Sequence, residues 1–167
     1  MDRKGRTRRA LSIGQGLQDI AMRLSGFAFK GYVMPARRQY KIVFVNGCFD
    51  ILHVGHIKLL KFARCQGNRL IVGLNSDESI KRLKGPSRPI NNERDRETIL
   101  RALWCVDEVI VFDEDTPDIL IRQLSPDLIV RGPDHTAKTI HGIEVLIYNC
   151  EKEISTTSII EKLQCNP

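Results

Sequence analysis

The sequence predicts an α/β fold in which a five-stranded parallel sheet lies between two layers of helices. Three observations point there. From residue 41 onward, strand-length apolar runs alternate with helix-length amphipathic stretches. The runs are continuous and β-branched, as in strands covered on both faces. The intervening stretches are long enough for the right-handed crossovers that parallel strands require.

Residues 41–45 (Lys-Ile-Val-Phe-Val) form the first strand, and Gly47 is expected to let the backbone turn after it. From His56 the residues Ile57, Leu59, Leu60, Phe62 and Ala63 mark one helical face, with Lys58, Lys61 and Arg64 on the other. That helix is expected to stop near Gly67-Asn68. Residues 69–74 read as a second buried strand. Residues 81–92, with Gly85, Pro86 and Pro89, read as one long polar loop of the size that functional lids have. A helix is expected over 92–104 with Ile99, Leu100 and Leu103 inward, and a third strand over 108–112. Pro117 suits a first helical turn and opens a helix to residue 124. Residues 127–131 and 144–148 supply the fourth and fifth strands, and 156–163 the last helix. Ligands bind such sheets at the carboxyl ends of the strands, near the switch point.

The 167 residues, 42% hydrophobic and 28% charged, suit one globular α/β domain, expected over residues 39–167. No apolar run approaches 18 residues, so no membrane span is predicted and the expected location is the cytoplasm. The five cysteines, Cys48, Cys65, Cys105, Cys150 and Cys165, are odd in number and scattered, which reads as reduced thiols. The net charge of +6 is unevenly placed. Residues 1–38 hold nine basic groups against Asp2 and Asp19, leaving 17 basic and 18 acidic groups for the domain. The basic character therefore belongs to this arm, and nucleic acid is not the expected partner of the domain. Within the arm, Leu17, Ile20, Ala21 and Leu24 form a short amphipathic stretch without the apolar core of a secretory signal. Docking on a partner, an organellar transit role, solvated disorder and weak nucleic-acid contact remain open for it.

The segment Asn46-Gly47-Cys48-Phe49-Asp50-Ile51-Leu52-His53-Val54-Gly55-His56 follows the first strand and opens a helix. A strand, a glycine turn and a helix N-terminus present unpaired N–H groups and the positive end of the helix dipole, which suits a polyphosphate. Imidazole N–H groups at His53 and His56 can donate to phosphate oxygens. Zinc ligation lacks partners, because no Cys-x-x-Cys or further histidine pair completes a tetrahedral site. Asp50 could orient a loop N–H or position a metal. Ser155-Thr156-Thr157 opens the last helix, where hydroxyls cap the helix and can bind phosphates. Arg131-Gly132-Pro133-Asp134 follows the fourth strand at the ligand edge, where Gly132 would allow close approach of a base or ribose.

The segment resembles the H-x-G-H signature of the cytidylyltransferase-like nucleotidyltransferases. Further motifs follow in order: Asn75-Ser76-Asp77, Arg82-Leu83-Lys84-Gly85, Arg88-Pro89-Ile90-Asn91, Glu93-Arg94-Asp95-Arg96, Asp113 to Pro117, Pro126 to Gly132 and Ser155-Thr156-Thr157. This series is similar to the adenylyltransferase domains of the bacterial heptose kinase/adenylyltransferases, over about residues 40–164. The resemblance implies a Rossmann-like α/β/α fold and transfer of AMP from ATP to a heptose 1-phosphate, with release of pyrophosphate. It implies His53, His56 and Lys84 as catalytic. Asn46, Gly47, Cys48, Phe49, Asp50, Gly55, Arg131, Gly132, Asp134, Ser155, Thr156 and Thr157 would hold the nucleotide, and Arg82 and Arg88 the acceptor phosphate. Mg²⁺ would be carried by the triphosphate with no protein ligand assigned, and a homodimer is implied. The heptose enzymes commonly have a second glycine and an aromatic where this chain has Pro133 and His135. CTP-dependent transfer to glycerol 3-phosphate, and a nucleotide-binding regulator without turnover, are the alternative readings.

Overall fold

A computed structural model describes residues 40–149 and 155–164. The basic arm, Cys150 and Cys165 lie outside the described residues. In chain order the elements are β1 (Tyr40–Gly47), α1 (Val54–Gln66), β2 (Gly67–Asn75), α2 (Asp77–Lys84), α3 (Glu93–Arg101), β3 (Glu108–Phe112), α4 (Asp118–Leu124), β4 (Leu128–Arg131), β5 (Thr139–Ile140), β6 (Ile143–Ile147) and α5 (Thr156–Gln164).

The strands form one sheet in the order β3-β2-β1-β4-β6-β5, parallel except for the antiparallel β5–β6 pair. The sheet thus has six strands where five were expected. The extra strand is the two-residue β5, joined to β6 by the turn His141-Gly142, both with positive φ. The alternation of strand side chains divides the apolar residues into two cores, which gives the three layers. Val43, Val45, Leu70, Val72, Leu128 and Val130 pack with Leu60 and Ala63 of α1 and Leu100 of α3. Their neighbours Phe44, Ile71 and Ile129 face the other way and pack with Leu120 and Ile121 of α4. β1 pairs with β2 on one side and β4 on the other, so the switch point falls at their carboxyl ends.

Three expectations need correction. Residues 81–84 do not begin a loop, because they are the end of α2, a short helix with Ser76 as N-cap, Asp77 and Glu78 in its first turn and Lys81, Arg82 and Lys84 in its last. Gly85, at φ 94°, stops it and leaves residues 85–92 as the connection. Helix α3 ends at Arg101, three residues earlier than expected. Its inward face carries Arg96 and Leu100, while Ile99 is exposed. No helix among the described residues is long and apolar enough to cross a membrane.

Candidate active site

The segment from Asn46 to His56 is built around two histidines with different backbone roles. His53 is the N-cap of α1, and its Nδ1 accepts the Gly55 N–H at 3.2 Å. An accepting Nδ1 leaves the proton of the neutral ring on Nε2, free to donate elsewhere. His56 lies in the first turn, and the two rings stack with centroids 3.8 Å apart. The Phe49 ring tilts against His56 from 5.0 Å. The sharp turn expected at Gly47 falls instead on Phe49, which holds φ 45°. That left-handed conformation costs a non-glycine residue about 1–2 kcal/mol. Burial of the Phe49 side chain in the core offsets the cost. Gly47 is required for another reason: a Cβ there would meet the Phe49 ring at 3.1 Å.

Burial lowers the pKa of His53, and burial together with the nearby His53 and Lys84 lowers that of His56 to about 4, with the Ile51 carbonyl opposing weakly. Both rings are therefore neutral at pH 7 in the free protein and act as hydrogen-bond donors, not fixed cations. An arriving polyanion reverses the local field and favours protonation of His56. Lys84, the last residue of α2, is the predicted cation that the fold brings to this pair.

The loop before His53 is tied down from behind. Asp50 is buried, and its Oδ1 accepts the Ile90 and Asn91 N–H groups at 2.8 and 2.9 Å. Its Oδ2 lies 2.7 Å from Arg88 Nε, and its carbonyl accepts from Asn91 Nδ2. The Asp50 carboxylate is thus engaged in holding residues 88–91, and Arg88 faces that carboxylate. Arg96, 1% exposed, donates to the carbonyls of Cys48, Asn75 and Asn91 and to Asp77 Oδ1. In the sequence Arg96 stands out only as part of the Glu93-Arg94-Asp95-Arg96 motif. Its signal was its place four residues before Leu100, on the buried face of α3.

The remaining predicted residues lie on other elements. Arg82 is on α2, not a lid loop, and its guanidinium is held by Asp115 at 2.9 Å and by the Asp113 carbonyl. Arg131 ends β4, with Nη1 3.4 Å from both ring nitrogens of His135. Gly132 has no protein atom within 4 Å of where a Cβ would stand, so the close approach is to no part of the chain itself. Asp134 is exposed beyond it. Ser155 and Ser158 cap α5 reciprocally, each hydroxyl accepting the other's N–H at 3.0–3.1 Å. Thr156 and Thr157 begin that helix. Residues 150–154, which lead to it, lie outside the described residues.

Buried polar atoms are nearly always paired. Among the described residues, Asn46 Oδ1, His56 Nδ1 and Arg131 Nε are buried without a hydrogen-bond partner. They stand at the ends of β1 and β4 and in the first turn of α1, the edge where this sheet type takes ligands.

The cytidylyltransferase-like family matches residues 44–166. The chain belongs to that family. Curated relatives named Bifunctional protein HldE are 52% identical over 135 residues in Syntrophotalea carbinolica and 49% over 136 residues in Campylobacter jejuni. These alignments cover 76% and 79% of this chain but only 28% and 30% of the relatives, so the chain spans under a third of their length. A lipopolysaccharide core biosynthesis protein from Thermoplasma volcanium is 32% identical, with a TM-score of 0.54 over 65% of this chain and 93% of that one. A bifunctional NMN adenylyltransferase/ADP ribose pyrophosphatase from Francisella tularensis shares the fold at 15% identity and a TM-score of 0.52, over 77% of this chain and 42% of its own. This cytidylyltransferase-like domain is accordingly an enzyme of the nucleotidyltransferase kind.

Proposed function

We propose that the domain transfers the adenylyl group of ATP to a sugar 1-phosphate, D-glycero-β-D-manno-heptose 1-phosphate, and releases pyrophosphate. The observation that carries this reading is the stacked histidine pair on the N-terminus of α1, with the positive charge of Lys84 felt at His56. An acceptor phosphate oxygen attacks the α-phosphorus of ATP. The bond from that phosphorus to the bridging oxygen breaks, and pyrophosphate leaves with the electron pair. No protein nucleophile is needed, so catalysis is positioning and offsetting of charge. His53 and His56 donate to triphosphate oxygens, and Lys84 neutralises charge on the departing pyrophosphate. Both Asp50 oxygens are engaged within the protein, and the described residues contain no cluster of three metal-ligating side chains. Mg²⁺ arriving with the triphosphate would supply charge neutralisation there.

The heptose acceptor is supported by the similarity to HldE and to the lipopolysaccharide core protein. Pyrophosphate release is the test, measured with Mg²⁺ across ATP, CTP, GTP and UTP, each with heptose 1-phosphate or glycerol 3-phosphate. ATP with heptose 1-phosphate should turn over, and His56→Ala should lower kcat by about 10²–10³-fold. Preference for CTP with glycerol 3-phosphate would replace the adenylyl reading. Nucleotide binding with silence across the panel would favour a regulator.

A further inference from the structure

Arg96 carries a feature that the reaction scheme does not use. A charged side chain with 1% exposure gathers three backbone carbonyls from three separate segments: Cys48 at 2.7 Å, Asn75 at 2.9 Å and Asn91 at 2.9 Å. Asp77 supplies the counter-charge at 2.7 Å. The Cys48 carbonyl belongs to the peptide just before Phe49, the left-handed residue whose ring rests on His56. A loop that receives a polyanion must turn its carbonyls away from it, because an inward carbonyl places partial negative charge beside the phosphates. Rotation of the Cys48–Phe49 peptide would release the Phe49 turn and present that oxygen to the site.

We propose that Arg96 is a positioning residue for phosphate binding and transfer: by holding the Cys48 carbonyl it locks the Phe49 turn and thereby the seat of His56. Asn91 holds the Asp50 carbonyl at 2.7 Å, and Arg96 in turn holds the Asn91 carbonyl. One guanidinium thus governs both carbonyls that flank Phe49. Lysine at this position keeps the charge but offers no planar fork, so it cannot serve these acceptors together.

The kinetic part of this inference rests on the proposed reaction, and the test separates the two. Arg96→Lys and Asp77→Asn are compared with wild type for turnover per folded molecule and for the His56 titration, followed by NMR on the histidine ring. Displacement of a reacting group by about 1 Å costs roughly 10²-fold, so Arg96→Lys is expected to lose about 30–100-fold in kcat. The His56 midpoint should climb from about 4 toward 6.5 as the ring loses its buried seat. Asp77→Asn leaves the three carbonyl bonds in place and should lose roughly 3–10-fold, with a smaller midpoint shift in the same direction. If Arg96→Lys does not fold, Asp77→Asn decides. Turnover within twofold of wild type, or an unmoved midpoint, in the deciding variant overturns the proposal. If wild type itself turns over no substrate, the reaction reading fails and the midpoint alone decides the role of Arg96.

Discussion

Around Cys48 and Asp50, the carbonyls and the carboxylate are all held by donors from residues 88–96, two of them arginines that are buried or nearly so. On the other side of the switch point, residues 134–139 are exposed. That segment is held by the His135 N–H on the Gly132 carbonyl, the Val145 N–H on the Lys138 carbonyl and the hydrogen bond between His141 Nε2 and Asp118 Oδ1 at the turn beyond. The difference teaches how one fold divides its work. In the proposed reaction the chemistry at phosphorus is the same whatever the base or sugar, and it would sit where geometry is over-determined. Contacts that vary between substrates suit a segment that can be rebuilt without disturbing the core.

The largest expected effect is on the tied side. Asp50→Ala strands Arg88 without its carboxylate and leaves the Ile90 and Asn91 N–H groups unpaired, which should cost about 3–5 kcal/mol in urea unfolding. A loss below about 1 kcal/mol would mean that the loop is not held as described.

Next comes the pH response of His56. Its folded pKa is depressed to about 4 against 6.5 when unfolded, so between these values the unfolded chain binds more protons. Stability should therefore be fully present above about pH 6.5 and fall by on the order of 2–3 kcal/mol as pH drops to about 4. His56→Gln should flatten that slope, and an equal slope in both proteins would assign it to other groups.

Gly47→Ala is a finer probe of the same region. Its Cβ meets the Phe49 ring at 3.1 Å, so the ring must yield by a few tenths of an ångström. A stability loss near 1 kcal/mol should accompany a roughly tenfold fall in kcat, because Phe49 presses on His56.

On the exposed side, His141→Gln alters a half-exposed side-chain contact with Asp118 and should change stability by less than about 1 kcal/mol. Its effect on kcat should be smaller than any above. A larger loss there would erase the contrast between the two sides.

Most of the fold could be read from apolar runs and their spacing. The β3 strand falls where it was expected, because the apolar run Val109-Ile110-Val111-Phe112 between Glu108 and Asp113 leaves little choice. Helix α2 was hidden because Ile80 is its single buried apolar residue, so no periodic stripe exists. Its legible signals were electrostatic: a serine cap, acids in the first turn and cations in the last. In α3 Ile99 was expected inside, yet it is exposed and Arg96 is buried. That inversion arises because three carbonyls need a donor, a demand that only the assembled tertiary structure states. The histidine pair was visible as a motif, whereas its neutral, stacked state depends on burial and on Lys84 arriving from α2.

The division of β1 between two cores also fixes an address. Val43 and Val45 belong to one side of the sheet and Phe44 to the other, so odd and even positions are not interchangeable. Adding a single residue to this strand would exchange the two sides and ruin both cores. Adding two would restore the sides but carry Asn46 and Gly47 about 7 Å past the edge of the sheet. The reach of the loop beyond β1 is therefore metered by hydrophobic parity inside the protein.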